Sequence, residues 1–152
     1  TGNIITKYEN AFAAIPLLVA FIPMLMDTGG NCGSQSSTLI IRGIALGEIR
    51  FRDIFRVIFK EFRISLIVGL VLSAANGVRI LIQYRNAELA LVIMLSLIFT
   101  VIISKMIGCI LPLLAKRAGL DPAIMASPLI TTLVDICSIL IYFNVATVLF
   151  HL

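Results

Sequence analysis

The sequence predicts an all-α, polytopic membrane fold, and three observations carry that prediction. Sixty per cent of the 152 residues are hydrophobic and only 13% are charged, about half the charged share of an ordinary soluble domain. Mean hydropathy is +1.09, more apolar side chain than one soluble core of this size can hide. The apolar residues also run in stretches of roughly 20 or more, the length that crosses a hydrocarbon layer as helix, where each backbone polar group must be bonded within its own segment.

The first apolar run, Ala11 to Met26, is uncharged and carries Pro16 and Pro23. It passes into a polar, small-residue stretch from Asp27 to Thr38 and becomes apolar again through Leu46. That run exceeds one straight span, so a long helix broken or bent near Gly29-Gly30 is expected, with its polar groups against protein or a water-filled cavity. In residues 49–63, Phe51, Ile54, Phe55, Ile58 and Phe62 fall on one helical face, and Arg52, Asp53, Arg56, Lys60 and Arg63 occupy the rest. This predicts a short amphipathic helix on the membrane surface or against the domain.

Ile64 to Tyr84 reads as a second span, with Arg79 able to snorkel near its far end. Gln83 to Asn86 reads as a tight turn, and Ala87 to Ala115 as a third span closed by Lys116 and Arg117. Gly119 should end that helix. Asp121 suits an N-cap and Pro122 a first helical position, and the last span runs to about Phe150, with Pro128 bending it near its start. No internal repeat is visible.

Charge orients these four visible spans. Six of the twelve basic residues lie between Arg42 and Arg63, a pattern of a cytoplasmic loop rather than a nucleic-acid surface, and Lys116-Arg117 marks the second cytoplasmic connection. Both termini are then expected outside. With no secretory signal peptide at the start, a preceding span is expected to be missing. Cys32, Cys109 and Cys137 lie far apart in apolar or glycine-rich stretches, without zinc-ligand spacing or disulfide density, and read as packing residues.

Two features interrupt the apolar background: the stretch from Gly29 to Thr38, and Thr131-Thr-Leu-Val-Asp135. Asp135 lies about 20 Å along the last span, near mid-membrane. An ionisable carboxylate there costs at least about 2.5 kcal/mol, and a bound cation, a basic partner or protonation would offset it. Lys105, about 15 Å deep, is the candidate partner, and an Asp135–Lys105 ion pair would make the chain a structural membrane subunit. A proton-coupled carrier is a third reading. Thr131 sits one turn before Asp135 on the same face. A sparse oxygen set of this kind suits Mg²⁺, which keeps several waters, better than dehydrated Ca²⁺. Soft metals are unsupported, since the sole histidine is the terminal His151.

The glycine-rich stretch lacks the Gly-Lys-Ser/Thr ending of a P-loop. Its glycines would let helices approach closely, while Asn31, Gln35 and Thr38 add side-chain oxygens, as pore lining or as bridges between helices. Ser34, Ser36 and Ser37 have no histidine near them in sequence to make a nucleophile.

At these residues the chain resembles a known family. Phe21-Ile-Pro-Met-Leu, Gly29-Gly-Asn-x-Gly-x-Gln-x-x-Thr38 and Arg42-Gly-x-Ala-x-Gly47 resemble the second membrane helix of MgtE magnesium channels and transporters. Lys60-Glu61 with the Gly69 region is similar to the start of the third helix. Gly119-Leu-Asp-Pro-Ala123, Thr131-Thr-x-x-Asp135 and Tyr142-Phe143 are similar to the fifth. The resemblance implies a homodimer with five helices per subunit in the bacterial inner membrane, and a Mg²⁺ pathway at the dimer axis. Asp135 from both subunits would hold a largely hydrated ion, assisted by Thr131. Gly30, Asn31, Ser34, Gln35 and Thr38 would line the pore, Ser34 standing where some relatives are expected to carry asparagine. The resemblance further implies that the first membrane helix precedes this chain and that cytoplasmic N and CBS sensor domains complete the full-length protein. Neither an enzyme nor a nucleic-acid partner is implied.

Overall fold

Helices account for most of the described residues. The computed structural model describes residue 16, residues 18–125 and residues 127–150. The opening of the first apolar run, the segment from Thr1 to Glu9 and His151 lie outside the described residues. Four α-helices follow one another: α1 (Ile22–Ala45), α2 (Ile54–Tyr84), α3 (Ala87–Arg117) and α4 (Ser127–Phe150), with 3-10 turns at Phe51–Asp53 and Pro122–Met125. Among the described residues there is no strand.

Among the described residues three segments are long and apolar enough to cross a membrane: Phe51–Tyr84, Ala87–Arg117 and Pro128–Leu149. At 1.5 Å per residue the 24-residue α1 is about 36 Å long, enough to cross the roughly 30 Å hydrocarbon core. Its glycines, serines and Asp27 lower its hydropathy.

The helix ends follow the local sequence. Gly119 takes φ +81 and closes α3, with Leu120 N–H donating to Ala115 O at 2.8 Å. Asp121 Oδ1 accepts from Ala123 N–H at 3.0 Å. It caps the 3-10 turn beginning at Pro122, and α4 itself starts only at Ser127. Arg85 ends α2 with φ 51, and Asn86 caps α3 by accepting from Leu89 N–H at 3.1 Å.

Two expectations are corrected. First, α1 runs unbroken through Gly29-Gly30, because the glycines are seams for neighbouring helices. A methyl on Gly29 would meet Thr100, Val134 and Ser138 within 2.9 Å, and one on Gly108 would collide with the carbonyl oxygen of Gly33. Second, residues 49–63 form no separate surface helix. After the 3-10 turn, α2 continues for 31 residues. Its inward face is Glu61, Ser65, Gly69, Ser73 and Gly77, a small residue at each turn that lets α2 lie close on α3. The expected apolar face splits accordingly. Phe51 and Ile54 pack near Ile40, Cys109 and Leu113, whereas Phe55, 82% exposed, faces outward with Phe59 and Phe62.

Helix α3 is the hub, packing against α1, α2 and α4, while α4 also packs against α1. One apolar cluster joins Leu18, Leu25, Ile80, Ile93, Leu97 and Tyr142. A smaller one, around Ile40, Cys109 and Leu113, lies toward the end of the bundle that carries Arg117 over the Phe51 ring at 4.4 Å. Between the two clusters the interior turns polar.

Candidate functional site: an acidic cavity between two helices

Helix α1 has two chemically different faces. Gly29, Gly33, Ser36, Ser37 and Ile40 are buried against the bundle. Asp27, Asn31, Gln35 and Thr38 are exposed on the other side, and Ser34 is half-buried. A period of 3.6 residues places Asp27, Asn31, Ser34 and Thr38 along one stripe.

Where that stripe meets α4 there is a cavity of about 290 Å³, lined by Met26, Asp27, Gly30, Asn31, Ser34, Thr131 and Asp135. Five of the residues named in advance converge here: Asp135 and Thr131 from α4, and Gly30, Asn31 and Ser34 from α1. Gly30 keeps the two helices apart by very little, since a methyl there would come within 3.4 Å of Thr131 Cγ2. Thr132 takes no part. It is exposed and its hydroxyl donates back to Pro128 O at 2.9 Å. Gln35 and Thr38 are outside the lining, exposed on α1 toward its C-terminal end.

The structure adds a carboxylate that sequence reasoning passed over. Asp27 lines the same cavity as Asp135. The signal was its place one turn before Asn31, which puts it at the head of the polar stripe.

The alternative ion pair between Asp135 and Lys105 is not formed. Lys105 Nζ lies 3.7 Å from Glu61 Oε2, with both side chains nearly buried (5% and 9% exposed). It also donates to Ser36 Oγ at 3.3 Å, and Ser36 Oγ in turn donates to Glu61 Oε2 at 3.2 Å. Among the described residues this is the one ion pair, and no described lysine or arginine pairs with Asp27 or Asp135. The reason is helical phase. Glu61 starts the inward stripe of α2 and so reaches Lys105 on α3, while Asp135 points to the α1 side of α4.

The cavity's chemistry is hard oxygen: two carboxylates, one carboxamide and two hydroxyls. Among the described residues no three His, Cys, Asp or Glu come together, so no closed cage of protein ligands exists. Space is available for a solvated ion instead. Six waters at about 30 Å³ each occupy roughly 180 Å³, less than the cavity.

Membrane-length helices that bring two carboxylates to one open cavity define a polytopic helical membrane protein with an acidic site. The comparisons with known proteins narrow that class. Residues 22–145 match the model of the MgtE family, described as divalent cation transporters, and the chain belongs to that family, one of transporters rather than enzymes. It is 42% identical over 151 residues to the magnesium transporter MgtE of Bacillus subtilis, covering 99% of this chain and 34% of that protein. It is 38% identical over 150 residues to the magnesium transporter MgtE of Thermus thermophilus, covering 98% of this chain and 33% of that one. The chain thus spans about a third of the length of the curated relatives it matches.

Proposed function

We propose that this chain forms the ion pathway of a Mg²⁺ transporter, with Asp135 as the carboxylate that selects the ion. The observation that carries the reading is the convergence of Asp135 and Thr131 with the polar stripe of α1 on one cavity. Mg²⁺ demands near-octahedral oxygen coordination and gives up water reluctantly. A site with few carboxylates, neutral oxygens placed to accept from water, and room for a hydration shell suits it. Asp135 and Asp27 supply charge, while Asn31, Ser34 and Thr131 supply outer-sphere hydrogen bonds.

A second copy of the chain completes this pathway. Asp27, Asn31, Gln35 and Thr38 are exposed on a membrane-length helix, and lipid is a poor solvent for them. Pairing α1 and α4 with their counterparts about a two-fold axis would bring two Asp135 side chains to one water-filled passage and extend its lining to Gln35 and Thr38. The location proposed is the bacterial inner membrane, with sensor domains elsewhere in the full-length protein. The names of the relatives, each a magnesium transporter, support the choice of ion.

The test is a calorimetric Mg²⁺ titration of the detergent-purified protein and its Asp135→Ala variant, followed by flux in proteoliposomes with and without a proton gradient. Saturable binding that disappears in the variant, with flux indifferent to the gradient, is expected. Equal binding in both proteins would refute Asp135 as the ion site, and flux that requires the gradient would favour a proton-coupled carrier.

A further inference from the structure

The buried Glu61–Lys105–Ser36 node lies outside the cavity, and burial alone gives it no obvious use. Taking two charges out of water costs several kcal/mol per ion, and replacing such a pair by apolar residues of similar size is often neutral or stabilising. What the pair can supply is a unique register. The seam between α1 and α3 is built of Gly29, Gly33 and Ser36 on one side and Thr100, Ser104 and Gly108 on the other. Small residues allow close approach, yet they offer few knobs to stop one helix rotating or sliding on another.

Ser36 supplies the stop. Its hydroxyl accepts from Lys105 Nζ and donates to Glu61 Oε2, so one side chain of α1 is tied to both α3 and α2. Ser36 is two residues beyond cavity-lining Ser34, about 200° round the helix, so the node grips the back of the turn whose front faces the cavity. With side chains about 5–6 Å from the helix axis, a rotation of roughly 20° would carry Asn31 and Ser34 about 2 Å along the cavity wall. A displacement of that size breaks hydrogen bonds to a hydrated ion.

We infer that Glu61 and Lys105 are positioning residues for the cation cavity, acting through Ser36 to fix the rotation and depth of α1; the inference rests on the cavity being the ion site. The experiment compares the full-length protein with Ser36→Ala, Ser36→Thr and the double variant Glu61→Gln/Lys105→Met. Mg²⁺-dependent flux in proteoliposomes and thermal unfolding in detergent are both measured. Ser36→Ala keeps the ion pair and cuts only its tie to α1. It should lower the unfolding temperature, since two buried hydrogen bonds to charged groups are lost, while half-saturating Mg²⁺ rises about fivefold, the equivalent of one lost hydrogen bond. Ser36→Thr keeps the hydroxyl, and although its added methyl crowds the seam beside Gly108, saturation should return toward the wild-type value. The double variant should fold and show the same weakened saturation as Ser36→Ala. If Ser36→Ala saturates as wild type, the pair is only structural and the inference is overturned, whether or not the double variant folds. Asp135→Asn, run alongside, separates the two readings. Should it leave flux untouched, the cavity is not the ion site and both fall. Should it abolish flux while Ser36→Ala is silent, only the positioning role fails.

Discussion

The carbonyl oxygen of Gly33 on α1 lies where a methyl group on Gly108 of α3 would have to go. Backbone of one helix is thus seated directly on backbone of the other, one residue from Ser34 at the cavity and three from Ser36 at the buried ion pair. Gly108→Ala should therefore cost about 1–3 kcal/mol, as overpacking does, and lower the unfolding temperature in detergent. Gly47→Ser, at a position with open space around it but a φ of +75, should cost less.

Gly30 tells a different story. A methyl there meets only Thr131, its Cγ2 at 3.4 Å, so Gly30→Ala should fold normally. Gly30→Leu projects into the cavity and should reduce Mg²⁺ flux severely while the unfolding temperature changes little. Parallel loss of both would instead assign Gly30 to packing.

Asp27 should act as an electrostatic aid to Asp135. Asp27→Asn is expected to raise half-saturating Mg²⁺ roughly two- to fivefold, the size of an interaction with a divalent ion across a wet cavity. The effect should shrink as ionic strength rises, because exposed charges are screened within about 8–10 Å at physiological salt. Loss as complete as that of Asp135→Ala would make Asp27 an equal partner.

Tyr142, buried on α4, donates its hydroxyl to Leu18 O at 2.6 Å. Tyr142→Phe should cost about 1 kcal/mol and leave Mg²⁺ saturation unchanged, since the bond lies away from the cavity lining.

Lys105 pairs with Glu61, so Lys105→Met should not rescue any folding defect of Asp135→Leu. It should partly rescue Glu61→Leu, because removing the second charge removes the unpaired one. Rescue in the opposite pattern would place Lys105 against Asp135.

Much of this fold was legible in the sequence because the bilayer is a demanding solvent. Span lengths, the stop at Gly119 and the turn at Asn86 follow from hydropathy, φ preference and capping, all of them local. Asp135, Thr131 and Asn31 stood out because polar residues inside apolar runs demand an explanation, and Gly30 and Ser34 through the family resemblance; the structure lines one cavity with all five. Glu61 was not singled out because it stands in a run with Arg56, Lys60 and Arg63, where local charge says surface. Only the four-residue repeat of small residues that follows it reveals the inward face. The sequence by itself determined a helical membrane bundle and which side chains had to be kept from lipid. The tertiary structure alone decided their partners: Lys105 with Glu61, and Asp135 with Asp27 around one cavity. Those pairings depend on the rotation of each helix about its own axis, which long-range packing sets and no local stretch of sequence encodes.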